Sequence, residues 1–93
     1  MIRIVKMVFK EDKVNEFTKL FSDSKEFIEA MPGCKSVKLL NEINQANIFF
    51  TYSIWDSEEH LNNYRNSELF ANVWAKTKVL FDAKPEAWSV MEQ

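Results

Sequence analysis

The spacing of apolar residues switches between a short and a long period along this chain, and each switch marks an element. Ile2 to Phe9 carries Ile2, Ile4, Val5, Val8 and Phe9, with Arg3 and Lys6 between. Its β-branched residues fall on both parities, which predicts a first strand covered on both faces. From Asp12 to Met31 the period lengthens. Val14, Phe17, Leu20, Phe21, Ser24, Phe27, Ile28 and Met31 form a stripe at three- and four-residue steps, with charged residues over much of the remaining surface. That pattern predicts an amphipathic helix. Pro32-Gly33 ends it, because proline cannot continue a helix and glycine accepts a left-handed turn.

Cys34 to Asn41 reads as a second strand, with Val37 and Leu39 on one parity and Leu40 on the other. The polar run Glu42 to Asn47 has the length of a hairpin connection. Ile48 to Trp55 (IFFTYSIW) is the strongest strand, with no polar face at all. Asp56 is the expected cap of a short helix running to about Tyr64, with Glu59 completing a capping box. Ser67 caps a longer helix, whose apolar side carries Leu69, Phe70, Val73, Trp74, Thr77, Leu80 and Phe81. Beyond Pro85, Glu86 to Met91 is a final short strand with Trp88 and Val90 on one side.

The order is therefore strand, helix, strand, strand, helix, strand, in one domain over residues 1–93. Right-handed crossovers turn this order into an α+β, ferredoxin-like βαββαβ fold, a four-stranded antiparallel sheet with its helices on one face. Such a sheet leaves its other face bare, yet the strands are apolar on both sides. A second copy of the chain laid on that face gives a homodimer.

Composition sharpens this picture. Hydrophobic residues make up 46% of the chain and aromatics 14%, a rich apolar supply for 93 residues and a further argument for a partner. Twelve basic residues stand against 14 acidic ones, without a basic block, so the electrostatic footprint of nucleic-acid binding is missing. A single cysteine, Cys34, cannot form an internal disulfide and suits a reducing, cytoplasmic setting. The N-terminal residues meet charge too early for a signal peptide, and no stretch has the length of a membrane span. Several chemistries fail on their required residues. One glycine cannot build a phosphate-cradling loop, one cysteine cannot make a Cys-x-x-Cys metal pair, and no serine sits in a nucleophile-elbow motif.

Phe50 to Phe70 (FTYSIWDSEEHLNNYRNSELF) carries a resemblance. An aromatic strand ends in Trp55, an acid-rich helix start follows, and an aromatic-x-x-Ser-x-x-Phe spacing appears at Tyr64, Ser67 and Phe70. This segment resembles the antibiotic biosynthesis monooxygenase (ABM) family, and the rest of the chain fits that family's dimeric α+β barrel. The resemblance implies a small-molecule monooxygenase that holds an aromatic or quinol-like substrate between sheet and helices, with no metal or flavin cofactor. The chain also departs from its relatives. Tyr64 and Leu69 stand where many members carry histidines, and Trp74 stands where haem-degrading relatives carry the axial histidine. An isomerase or decarboxylase on the same scaffold, or a ligand-binding dimer without catalysis, fits these departures too.

The candidate catalytic residues are Tyr64 and His60. A phenol at position 64 can donate to a substrate oxyanion or simply pack at a helix break. His60, the only histidine, lies one turn before it and could act as a base or stand exposed in the first turn. Trp74, Phe70, Phe17 and Phe21 are candidate substrate-binding walls or plain core. Tyr52 and Trp55 are also candidates, but they point to opposite sheet faces, so at most one meets the helices. Arg65 could meet an acidic substrate or a surface carboxylate, the commoner fate of an exposed arginine.

Overall fold

The computed structural model describes all residues, 1–93. Four strands alternate with helical segments: β1 (Ile2–Val8), α1 (Val14–Glu29), β2 (Cys34–Asn41), β3 (Ile48–Trp55), α2 (Glu58–Arg65), α3 (Glu68–Lys78) and β4 (Glu86–Val90). The sheet runs in the order β2-β3-β1-β4 with every neighbouring pair antiparallel. The sequence pattern anticipated this ferredoxin-like α+β architecture, and the three helices lie on one face of the sheet.

Differences fall at the element ends and have local causes. Phe9 leaves the regular ladder: it is fully buried, bridges to Phe81, and its N–H bonds the Asn47 carbonyl at 2.9 Å. A 3-10 turn (Glu11–Lys13) precedes α1, so the helix starts at Val14 rather than Asp12. The cap of α2 is Ser57, not Asp56. Ser57 Oγ accepts from the His60 N–H at 3.2 Å, whereas the Asp56 side chain lies 3.6 Å from Lys35 Nζ. Ser67 caps α3 as the spacing required, accepting from the Phe70 N–H at 3.1 Å. On α1, Phe17, Ser24 and Ile28 are buried but Phe27 is 62% exposed, since it lies about 100° round the helix from Ile28.

Cross-strand partners share a face, so the register sorts the strands. Val5 opposite Thr51, Met7 opposite Phe49 and Arg3 opposite Ser53 face the helices. The other face carries Ile2 with Ile54, Ile4 with Tyr52, Val8 with Ile48, and Trp88 beside Ile4. The core sits at one end of the helix side, where Met7, Phe9, Phe17, Phe49 and Leu80 form one buried cluster. Phe9 and Phe17 stack there with ring centroids 4.0 Å apart. No helix is long and apolar enough to cross a membrane.

Candidate functional site

At the other end the helices stand off the sheet, and a cavity of about 330 Å³ opens between them. That is the small end of the range of ligand pockets, about 300–1,000 Å³. Thirteen of its 19 lining residues are hydrophobic. Strands β1 and β3 supply the floor through Val5, Thr51 and Trp55. Helix α1 supplies Phe17, Phe21 and Ile28, and the α2–α3 pair supplies Leu61, Tyr64, Phe70, Val73 and Trp74.

The aromatic spacing seen in the sequence has a mechanical meaning here. Asn66 closes α2, and Ser67 begins α3 immediately after it. Its hydroxyl donates to the Tyr64 carbonyl at 2.6 Å and accepts from the Phe70 N–H. Three residues on either side of that hinge, Tyr64 and Phe70 are thereby brought edge to face, with centroids 5.2 Å apart. Phe70 in turn stacks on Trp74 at 5.8 Å, and Tyr64 stacks on Trp55 at 5.2 Å. Trp55 is itself fixed by its indole N–H, which donates to Ser53 Oγ at 3.0 Å. The result is a continuous aromatic wall, Trp55–Tyr64–Phe70–Trp74, along one side of the cavity.

Tyr64 is the one neutral O–H donor on an aromatic ring in this wall. Burial, and then the negative charge Cys34 would carry nearby, push its phenol up to about 12. The hydroxyl therefore keeps its proton at neutral pH and is a donor throughout the physiological range. Cys34 sits beside this wall, paired with Trp55 across β2 and β3. Burial and Glu29 raise its thiol, which disfavours the thiolate that nucleophilic chemistry needs.

The structure brings together most of the residues singled out from the sequence: Phe17, Phe21, Trp55, Tyr64, Phe70 and Trp74 all line the cavity. Two do not. Tyr52 is on the opposite sheet face, because Trp55 takes the helix side of β3 and the two differ in parity. His60 lies outside the cavity wall. Its Nδ1 is 2.7 Å from Ser57 Oγ, and its ring packs over Gly33, so tightly that a Cβ on Gly33 would collide with it. Gly33 also holds φ +82°, the left-handed value that ends α1. A helix cap and a glycine turn therefore position the only imidazole.

Sequence reasoning passed over Arg3. It reads as a polar interruption of an apolar strand, yet it shares a face with Val5 and Met7 and lines the cavity. A charge on the parity that carries buried residues was the available signal. Arg65 also lines the cavity, and no carboxylate lies within 4.0 Å of either arginine. The surface ion pair anticipated for Arg65 is not formed. No group of three His, Cys, Asp or Glu side chains is arranged to hold a metal ion.

Comparison with known proteins places this geometry. The sequence profile of the family described as antibiotic biosynthesis monooxygenase matches residues 1–76. No curated protein sequence matches the chain. Among solved structures, a conserved protein from Methanosarcina mazei Go1 is 25% identical, covering 92% of this chain and 86% of its own with a TM-score of 0.87. A candidate antibiotic biosynthesis monooxygenase from Bordetella bronchiseptica superposes with a TM-score of 0.89 at 14% identity, over 99% of this chain and 95% of its own. A similarly described protein from Nitrosomonas europaea, also 14% identical, covers 94% and 92% with a TM-score of 0.86. The last two likenesses speak to the fold alone. With its profile match over residues 1–76, the chain belongs to the antibiotic biosynthesis monooxygenase family.

Proposed function

We propose that the protein is a cofactor-independent monooxygenase acting on a small aromatic or quinol-like compound held in the cavity between sheet and helices. The observation that carries this reading is a protonated phenol, Tyr64, set in a wall of aromatic rings. Electron-rich phenolic compounds react with dioxygen through their anions. A cavity that stacks the ring, shields it from water and offers one donor to its oxyanion favours that step. For a hydroxyanthrone-type substrate the balance is simple. The ring CH2 becomes a carbonyl with one oxygen atom of O2, and the other leaves as water with the two hydrogens. All electrons come from the substrate.

In this reading Tyr64 donates to the substrate oxygen, while Trp55, Phe70 and Trp74 hold the ring plane and Phe17 and Phe21 close the α1 side. His60 has no direct part, since it faces Ser57 and Gly33. The working unit is a homodimer through the outer sheet face, a reading supported by the apolar residues on that face. An oxygen electrode and a panel of hydroxyanthrones and quinols test the proposal. Protein-dependent oxygen uptake matched by carbonyl product is expected. Binding of the panel compounds without any oxygen uptake would favour a non-oxidative enzyme or a ligand carrier on the same scaffold.

A further inference from the structure

The cavity holds more positive charge than an apolar aromatic site requires. Arg3 projects from β1 onto the helix-facing side of the sheet, and Arg65 projects from the last turn of α2. Both line the one cavity, with Tyr64 and Thr51 also on its wall. The three ion pairs of the chain involve lysines elsewhere, so neither guanidinium meets a carboxylate. Arg3 has one side-chain partner, Ser89 Oγ at 3.0 Å on β4, which leaves most of its five N–H donors free. Its surroundings also weaken its hold on charge. Burial first, then the charge of Arg65, lower the Arg3 guanidinium below its ordinary value. Two like charges on the wall of one cavity without a counter-ion repel each other, and an anion placed between them relieves that repulsion. A guanidinium is also the side chain whose planar fork matches a carboxylate in two parallel hydrogen bonds.

We propose that Arg3 and Arg65 form an anion clamp at the polar end of the cavity, and that the compound bound there is an aromatic acid whose carboxylate lies between them while its ring stacks in the Trp55–Tyr64–Phe70–Trp74 wall. This deepens the reading of the cavity as the ligand site and rests on it. Arg65 stands in the last turn of α2, where the helix dipole favours a cation. Arg3 is oriented by its hydrogen bond to Ser89 Oγ. The carboxylate is read by the charge of both guanidinia and by the fork geometry of Arg3, which Ser89 holds.

The test is a matched pair of probes in isothermal titration calorimetry of the full chain: naphthalene-2-carboxylate and naphthalene-2-carboxamide, equal in shape and different in charge. The carboxylate is expected to bind about ten- to a hundred-fold more tightly at neutral pH, the range of charge-assisted hydrogen bonds. That preference should shrink as salt is raised. Arg65→Gln alters an exposed side chain and leaves the core untouched, so it should fold normally, lose most of the preference and bind the amide as before. Arg3→Gln should do the same, and Arg3→Lys should keep part of the preference because it keeps the charge. Equal binding of the two probes, no binding of either at millimolar concentration, or a preference that survives in both Gln variants would overturn the proposal. The oxygenase reading fails separately. Acid preference without oxygen uptake on any panel compound leaves the clamp standing and removes the oxygenase. Oxygen uptake on neutral quinols without acid preference does the reverse.

Discussion

The indole of Trp55 lies flat against the phenol ring of Tyr64, with centroids 5.2 Å apart and planes 22° from parallel. Trp55 belongs to the last residue of β3 and Tyr64 to the last turn of α2, so this contact ties the sheet to the helical layer at the cavity. It also buries much of the Tyr64 ring while Tyr64 still lines the cavity. The ring is fixed by its contacts with Trp55 and Phe70 rather than by a hydrogen bond from its hydroxyl. Removing only the hydroxyl, as Tyr64→Phe, should therefore keep the stack and the fold. On a confirmed substrate, turnover should fall about ten- to a thousand-fold, the upper end being that of a strong oxyanion donor. An unchanged rate, with an unchanged melting temperature, would leave the site as an apolar cage.

The same burial has an alkaline signature. In the unfolded chain a tyrosine ionises near pH 10, whereas in the folded protein Tyr64 does so only at about 12. The folded state thus holds the proton more tightly. Its advantage is complete below pH 10 and is lost as the pH rises from 10 to about 12. Two pH units correspond to roughly 2–3 kcal/mol of stability lost over that window. Urea unfolding across pH 9 to 12 should show the decline, and Tyr64→Phe should flatten much of it. An equally steep decline in the Phe variant would assign the effect to other groups.

A third consequence concerns the proton the substrate must lose. The titratable side chains on the cavity wall are Arg3, Tyr64 and Arg65, none of which is a base at neutral pH. If no general base acts, the reactive anion is the one the substrate forms with water. Its own acidity then sets the pH dependence. In a series of quinols of different acidity, the midpoint of the turnover profile should move with the substrate. A midpoint fixed for every substrate, and abolished in His60→Ala, would restore the imidazole to the chemistry.

How far the sequence spoke for itself differs between fold and site. The apolar stripes of α1 and α3, the two-sided strand Ile48–Trp55 and the Ser67 cap were legible, since each is set by a local period or a local hydrogen bond. The aromatic wall was legible in part, because Tyr64, Ser67 and Phe70 lie within two turns of one another. What could not be read was long-range placement. Only the register of β1 against β3 puts Arg3 on the face of Trp55, and only the packed helices show that this face, rather than that of Tyr52, lines the cavity. Likewise the position of His60 depends on Gly33, 27 residues earlier, coming close enough to take the ring. The Asp56 cap was misplaced by one residue because Asp56 and Ser57 are both good caps. Tertiary contacts decided between them: the Asp56 N–H is taken by the Gly33 carbonyl at 2.8 Å.

That Gly33 junction makes its own prediction. A side chain there meets a left-handed backbone and the His60 ring together. Gly33→Ala should cost about 2 kcal/mol or more, which for a domain of this size lowers the melting temperature by roughly 8 °C or more. In Gly33→Ala with His60→Ala, the steric part should be relieved and only the backbone part remain. If the double variant is as unstable as the single, His60 is not what crowds the glycine.

The outer face of the sheet yields the last prediction. Ile2, Ile4, Val8, Ile48, Phe50, Tyr52 and Ile54 lie there by register, and Trp88 and Val90 of β4 extend the patch, 44% and 40% exposed. Lys6 and Lys38 are the only cations among the strand pairings of that face. An apolar surface so nearly continuous is what two-fold association buries, and a monomer rarely keeps one open to water. Tyr52 belongs to this surface rather than to the cavity, with Ile4 and Lys38 opposite it on either side. Sedimentation at micromolar concentration should therefore find a dimer. Tyr52→Glu places a charge in the middle of the patch, and two-fold symmetry doubles it. That variant should dissociate to monomers while each chain keeps its far-ultraviolet circular dichroism, because the residue does not touch the buried cluster on the helix side. A wild-type chain that sediments as a monomer, or a Tyr52→Glu variant that stays dimeric, would move the interface elsewhere and leave the apolar face to some other partner.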